Sequence, residues 1–151
     1  MRSQLPEGFK EIHGCNFHNE KYPHQELTER IIGCAIKVHR ALKAGFVEGI
    51  YENALTHELT LAGLKVARQV KYPVFYENKL VGEHRADMVV QDTVVIELKA
   101  VSELAPQHVA QIMSTLMAAK KEVGLLLNFH ESRLVDGLRR VVLEGKLKQN
   151  L

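Results

Sequence analysis

Residues 94–100 read VVIELKA. The run opens on Val94, Val95 and Ile96, β-branched and apolar, as a strand covered on both faces would be. It then carries Glu97 and Lys99. Side chains two apart on a strand share a face, so both charges point the same way. Removing a charge from water costs several kcal/mol even after the surroundings relax. A salt bridge at a wet strand end is the plainer reading, because exposed ion pairs are common and nearly neutral. The other reading gives the two charges a task, and the flanking sequence weighs between them.

Upstream, LVGEHRADMVV (80–90) reads as a second strand, and Gln91-Asp92 as the turn that joins it to the first. Asp87 lies in that second strand. With a plain two-residue loop, Val90 would face Thr93, and Glu97 would point away from Asp87. For Asp87 and Glu97 to share a face, the turn must hold three residues or carry a bulge. They would then be direct cross-strand neighbours, with Cβ atoms about 4.5–5.5 Å apart. Two carboxylates that close repel, and one is driven to protonate. A divalent cation removes the conflict, and oxygen ligands with room for water suit Mg2+ or Mn2+. Lys99 beside such an ion could orient a water or neutralise a phosphate oxygen, which is the logic of metal-assisted phosphodiester hydrolysis.

The rest of the chain frames this pair. Residues 1–24 are polar and aperiodic and read as a loose N-terminal arm, with residues 25–151 as a single domain. His13, Cys15 and His18 in the arm lack the paired spacing of a zinc site. A helix is expected through ELTERIIGCAIKVHRALKAG and another through VEGIYENALTHELTLAG. LKVARQVKYPVFYE is a strand, with Pro73 marking an edge or a bulge. After the third strand, ELAPQHVAQIMSTLMAAKK reads as a helix and VGLLLNF as a buried strand. SRLVDGLRRVVLEGKL reads as a final amphipathic helix. The order is ααβββαβα, an α/β fold with a four-stranded mixed sheet flanked by helices.

Composition narrows the class. The chain has 151 residues, 46% hydrophobic and 25% charged, which fits one globular domain with a real core. No apolar run is long enough to span a membrane, and the N-terminus lacks the apolar core of a signal peptide. Two cysteines, Cys15 and Cys34, make no disulfide scaffold, so a reduced, cytoplasmic setting is expected. The net charge of +2 means that any nucleic-acid surface must be local. Arg68, Lys71, Lys79, Arg85, Lys120, Lys121, Arg133, Arg139 and Arg140 are candidate phosphate contacts. No phosphate-cradling glycine loop is present, which argues against an ATPase or kinase.

An Asp followed on the next strand by Glu-x-Lys, after a helix, resembles the PD-(D/E)XK nuclease superfamily, with Asp87, Glu97 and Lys99 at its three core positions. Ala86 stands where the motif has Pro. Within the superfamily, Gly45-Phe-Val-Glu48-Gly-Ile-Tyr51 is similar to the naming motif of the GxxExxY family, and the resemblance runs from about Glu26 to about Val142. It implies a restriction-endonuclease-like fold and a metal-dependent nuclease acting on nucleic acid, DNA before RNA. It implies that Glu48 joins Asp87 and Glu97 at the metal, with the Leu98 carbonyl as a further ligand. It also implies that a polar residue on the following helix, here Gln111, points back at the site. His108, one turn before Gln111, reads more simply as a solvated residue, and His39 as a hydrogen-bonded core histidine. Gln69 could face the site from the first strand. A homodimer is compatible with duplex cutting. The alternative is a nucleic-acid-binding or protein-interaction module that keeps the fold without turnover.

Overall fold

The computed structural model describes residues 5–12 and 22–144. His13, Cys15 and His18 lie outside the described residues. Among the described residues the elements are β1 (Phe9–Ile12), α1 (Gln25–Leu42), α2 (Glu48–Leu61), β2 (Val66–Tyr76) and β3 (Lys79–Val90). They continue with β4 (Val94–Lys99), α3 (Pro106–Ala119), β5 (Val123–Asn128), a 3-10 turn at Leu134–Gly137, and β6 (Leu138–Leu143).

The strands form one six-stranded sheet in the order β1-β6-β5-β4-β3-β2. All neighbours are antiparallel except β4 and β5, which run parallel because α3 carries the chain back across the sheet. The expected four-stranded sheet is therefore corrected to six strands. One addition is β1, drawn from the segment read as a loose arm and paired with β6. The other is β6 itself, which replaces the expected final helix. Leu134, Val135, Leu138, Val141 and Val142 satisfy a helical period. The β-branched run LRRVVL pairs instead with the open edge of β5, burying Val141, Val142 and Leu143. Gly137 is the hinge between the turn and the strand. A Cβ there would lie 2.7 Å from the Asn128 carbonyl oxygen.

Two apolar layers cover the sheet. On one face α1 and α2 pack Ile31, Ala35, Val38, Tyr51, Leu55 and Leu59 against Met88, Val90, Val94, Ile96 and Leu98. On the other, α3 packs Ile112 and Leu116 against Val89, Val95, Leu126 and Val141. β4 is thus buried on both faces, as its sequence predicts, and only Lys99 at its end is half exposed. Arg140, a candidate phosphate contact by sequence, does not face solvent. It is instead buried, with its guanidinium 4.3 Å from the centre of the Tyr22 ring.

Strict alternation fails beside the site. Val66 packs in the α1–α2 layer, yet Val70 and Tyr72 pack under α3. On the partner strand Met88 lies in the first layer and Ala86 in the second. The switch coincides with Gln69, whose φ of 51° puts it in the left-handed region. Arg68 pairs with Met88 and Val70 with Ala86, so the two strands change faces together around Gln69 and Asp87. Pro73 lies on the edge strand, and a register shift follows between Val74 and Phe75.

Gly124 sets how closely α3 approaches the sheet. A Cβ at that position would meet Ile112 Cδ1 at 2.7 Å. Gly124→Ala should destabilise the protein by about 1–3 kcal/mol through overpacking, read as a lower urea midpoint with an unchanged slope. An unchanged midpoint would show that α3 has slack at Ile112.

Candidate active site

The β3–β4 turn decides whether the acids meet. Val90 pairs with Val94, which leaves Gln91, Asp92 and Thr93 in the loop. Gln91 and Asp92 both have positive φ, and the Thr93 N–H donates to the Val90 carbonyl at 3.0 Å. The Gln91 side chain accepts from the Lys65 N–H at 2.7 Å and ties the turn to the start of β2. The loop is therefore not a plain two-residue hairpin. Pairing runs through Met88 opposite Ile96, and one further step brings Asp87 opposite Glu97. Asp87 Oδ2 accepts a hydrogen bond from the Leu98 N–H at 3.0 Å, which closes the ladder with a side chain.

Glu97 is fully buried. Its pKa is pushed up to about 8, first by burial and then by the charge of Asp87, with which it can share a proton. Thr115 on α3 and the charge of Lys99 pull the other way. Glu97 Oε1 accepts from the Thr115 hydroxyl at 3.0 Å. Oε2 is buried with no hydrogen-bond partner. When both acids are ionised neither has a proton for the other, so that oxygen is left without a donor. An oxygen-binding cation would satisfy it, so the donor set fits a hard divalent ion.

Glu48 stands at the first turn of α2, where the helix dipole favours a carboxylate. Burial raises its pKa. Lys99 opposes that shift, and Asp87 and Glu52 add to it. Glu48 is thus within Coulombic reach of both Lys99 and Asp87. Among the described residues no three His, Cys, Asp or Glu side chains gather into a ready metal cluster, so Glu48 does not close a triad with Asp87 and Glu97 here. Tyr51, one turn on, is buried and stacks on Phe129 at 4.6 Å between ring centres. Its hydroxyl donates to the Lys43 carbonyl and accepts from the Phe46 N–H, so it ties down the loop before α2.

Gln111 lies one turn before Thr115, and its carbonyl accepts from the Thr115 hydroxyl at 3.0 Å. His108 uses Nδ1 to accept the Ala105 N–H at 2.9 Å, which caps the start of α3. His39 is buried, with Nε2 2.7 Å from the Glu131 carbonyl oxygen. Gln69 donates to Glu52 Oε1 at 2.7 Å, and Arg68 donates to Glu52 Oε2 at 2.6 Å. Consecutive strand residues normally face opposite ways, and the left-handed Gln69 lets both reach one acid.

Sequence reading missed Thr115, His84, Glu52 and Asn128. Asn128 is buried and exchanges hydrogen bonds with Val101, at 2.9 and 3.1 Å. The Phe129 N–H donates to the Lys99 carbonyl at 2.8 Å. These bonds fasten the ends of β4 and β5 just past Lys99. The only local signal was a polar residue closing the apolar strand VGLLLN.

A half-buried acid and a fully buried one thus meet across adjacent strands, with a lysine at the strand end. A family model of the PD-(D/E)XK nuclease superfamily matches residues 25–141. The chain belongs to that superfamily, whose nucleases generally use divalent metal ions and act on nucleic acid. Neither the comparison with curated proteins nor that with solved structures gave a match.

The raised Glu97 pKa has a definite sign for stability. The folded state binds the Glu97 proton more tightly than the unfolded state does. Folding therefore loses stability as pH rises from about 4.5, the ordinary value, to about 8. Metal-free Glu97→Gln should unfold at a higher temperature than the parent at pH 8.5, by on the order of 5 °C, and the gap should close towards pH 4.5. Parallel curves of the two proteins against pH would refute the buried charge conflict.

Proposed function

We propose that this protein is a divalent-metal-dependent nuclease that hydrolyses phosphodiester bonds in DNA. The observation that carries the reading is the Asp87–Glu97 pair, in which buried Glu97 keeps an orphaned Oε2. Asp87 and Glu97 would hold Mg2+ or Mn2+, with the Leu98 carbonyl as a further ligand and Glu48 reaching the ion directly or through water. Such an ion polarises the phosphoryl oxygen and lowers the pKa of bound water. Lys99 stands at the mouth of the site, where its ammonium orients the attacking water and offsets the charge that builds on phosphate. Glu48, whose pKa burial raises, could accept or return a proton near Lys99. Gly45, Glu48 and Tyr51 support placing the chain in the GxxExxY family.

The cations support a nucleic-acid substrate once they are sorted. Arg68 is taken by Glu52, Lys121 by Asp92, Arg133 by Asp136 and Arg139 by Glu11, and Arg140 is buried. Lys71, Lys79, Arg85 and Lys120 remain, all exposed, and of these Lys71 and Arg85 stand directly opposite each other on β2 and β3. Like charges placed so are destabilising unless an anion joins them. Their neighbours Tyr72 and His84 face α3, so this pair lies on the opposite face, the side from which α2 brings Glu48. Glu83, two residues from Arg85, shares that face and offsets part of the charge.

Purified protein should cut DNA with Mg2+. Asp87→Ala and Lys99→Ala should each lower the rate by about a hundredfold or more. Cutting at the parent rate by both variants would trace the activity to a contaminant and sink the reading. DNA retention with no cutting would favour a binding module. In the Asp87→Ala background, Lys71→Ala or Arg85→Ala should each reduce the slope of log affinity against log salt by about 1.

A further inference from the structure

The Thr115 hydroxyl sits among three polar atoms. Glu97 Oε1 and the Gln111 carbonyl oxygen are each 3.0 Å away, and His84 Nε2 is 2.7 Å away. A hydroxyl has one proton and two lone pairs. The carboxylate, when ionised, and the carbonyl can only accept. If His84 Nε2 also accepted, three acceptors would compete for one proton. The loser would include a buried carboxylate oxygen, whose desolvation is costly when unpaired. The conflict disappears when Nε2 carries the imidazole proton and donates into Thr115. The Thr115 proton is then free for Glu97, where a charge-assisted bond is stronger than one to the helix carbonyl.

We infer that His84 is a positioning residue of the site: through Nε2–H and the Thr115 hydroxyl it fixes Glu97 Oε1 and leaves Oε2 for a divalent cation. This rests on the reading of Asp87 and Glu97 as a cation site. With Oε1 committed, Glu97 offers one oxygen and a fixed direction. That suits an ion such as Mg2+, which demands near-octahedral geometry and keeps several waters. Outer partners of metal ligands commonly act in this way, by setting orientation rather than by touching the ion. The arrangement exists because the strands change faces at Gln69 and Asp87. Strict alternation from Met88 would have pointed His84 towards α1 and α2, away from Thr115. His84 also forms part of the wall of a surface groove of about 470 Å3, with Phe75, Met117 and Lys120. The chain of hydrogen bonds therefore runs from the buried carboxylate to the surface.

The test compares Mn2+ binding by calorimetry in the full chain and in His84→Ala, His84→Gln, Thr115→Val and Thr115→Ser. Thermal unfolding and the 15N resonances of the His84 ring are recorded in parallel. His84→Ala and Thr115→Val should weaken Mn2+ binding by about 10- to 100-fold. Thr115→Ser, which keeps the hydroxyl, and His84→Gln, whose amide can donate, should recover most of it at similar unfolding temperatures. With Mg2+ bound, so that Glu97 is ionised, the parent ring should show the Nε2–H tautomer. Parent-like Mn2+ affinity in His84→Ala and Thr115→Val, or an Nδ1–H tautomer in the Mg2+-bound parent, would overturn the inference and leave the proposed nuclease standing. A parent that binds no Mn2+ would overturn the cation site itself, and the inference with it.

Discussion

Asp87 and Glu97 face each other across adjacent strands, the first half-buried and the second shut away from water. That repulsion is the constraint around which the neighbouring structure is arranged. The Leu98 N–H holds one acid, and the Thr115 hydroxyl holds the other. Lys99 supplies a positive charge at the strand end, and Glu48 adds a further acid at Coulombic range. Hydrogen bonds to the ionised form and a nearby cation both lower the cost of burying charge. They do not remove it, because Glu97 is still driven up and keeps one oxygen without a donor. A protein selected only for stability would have no use for such a pair, since well-packed apolar residues of similar volume do as well or better.

The framework holds that conflict in place from both faces. On the α3 side, close approach at Gly124 brings the helix down onto the sheet, which puts Thr115 within reach of Glu97. On the α2 side, Tyr51 wedged against Phe129 fixes the loop from which Glu48 emerges. Asn128 locks the β4 and β5 ends beyond Lys99. The Gln69 switch serves both sides. It turns Arg68 and Gln69 together onto Glu52, and it turns Tyr72 and His84 towards α3. A residue in the left-handed region costs energy unless it is Gly or Asn, and such strain is commonly found beside functional sites.

The central part of this architecture was legible in sequence because short-range rules govern it. The β-branched run at 94–96, the three-residue turn and the shared face of Asp87 and Glu97 all follow from period-two geometry. The margins were not legible, for physical reasons. Leu134, Leu138, Val141 and Val142 fit a helix as well as a strand. The choice was made by the open edge of β5, a partner that local pattern cannot reveal. Phe9–Ile12 has four residues and no local signal of its own. It is a strand only because β6, more than a hundred residues away in sequence, lies beside it. Thr115 and His84 were missed for a related reason. A threonine mid-helix and a histidine in a strand look ordinary until the fold brings them to one carboxylate. The change of face that does so begins at Gln69, a residue with no conformational signature in sequence.

The same sorting by partner explains how a chain of net charge +2 can suit a polyanion. Charge counted over the whole chain says little, because most candidate cations are already neutralised by a neighbouring acid or buried under an aromatic ring. What matters for a phosphate chain is the cation without an acid at hand. Lys71 and Arg85 stand in no ion pair among the described residues, although Glu83 on their face offsets part of their charge, and they lie on the side from which α2 brings Glu48. Their mutual repulsion and the repulsion of Asp87 and Glu97 are complementary problems. Between them a cation and a phosphate would resolve both, each ion answering the charge that the protein leaves uncompensated.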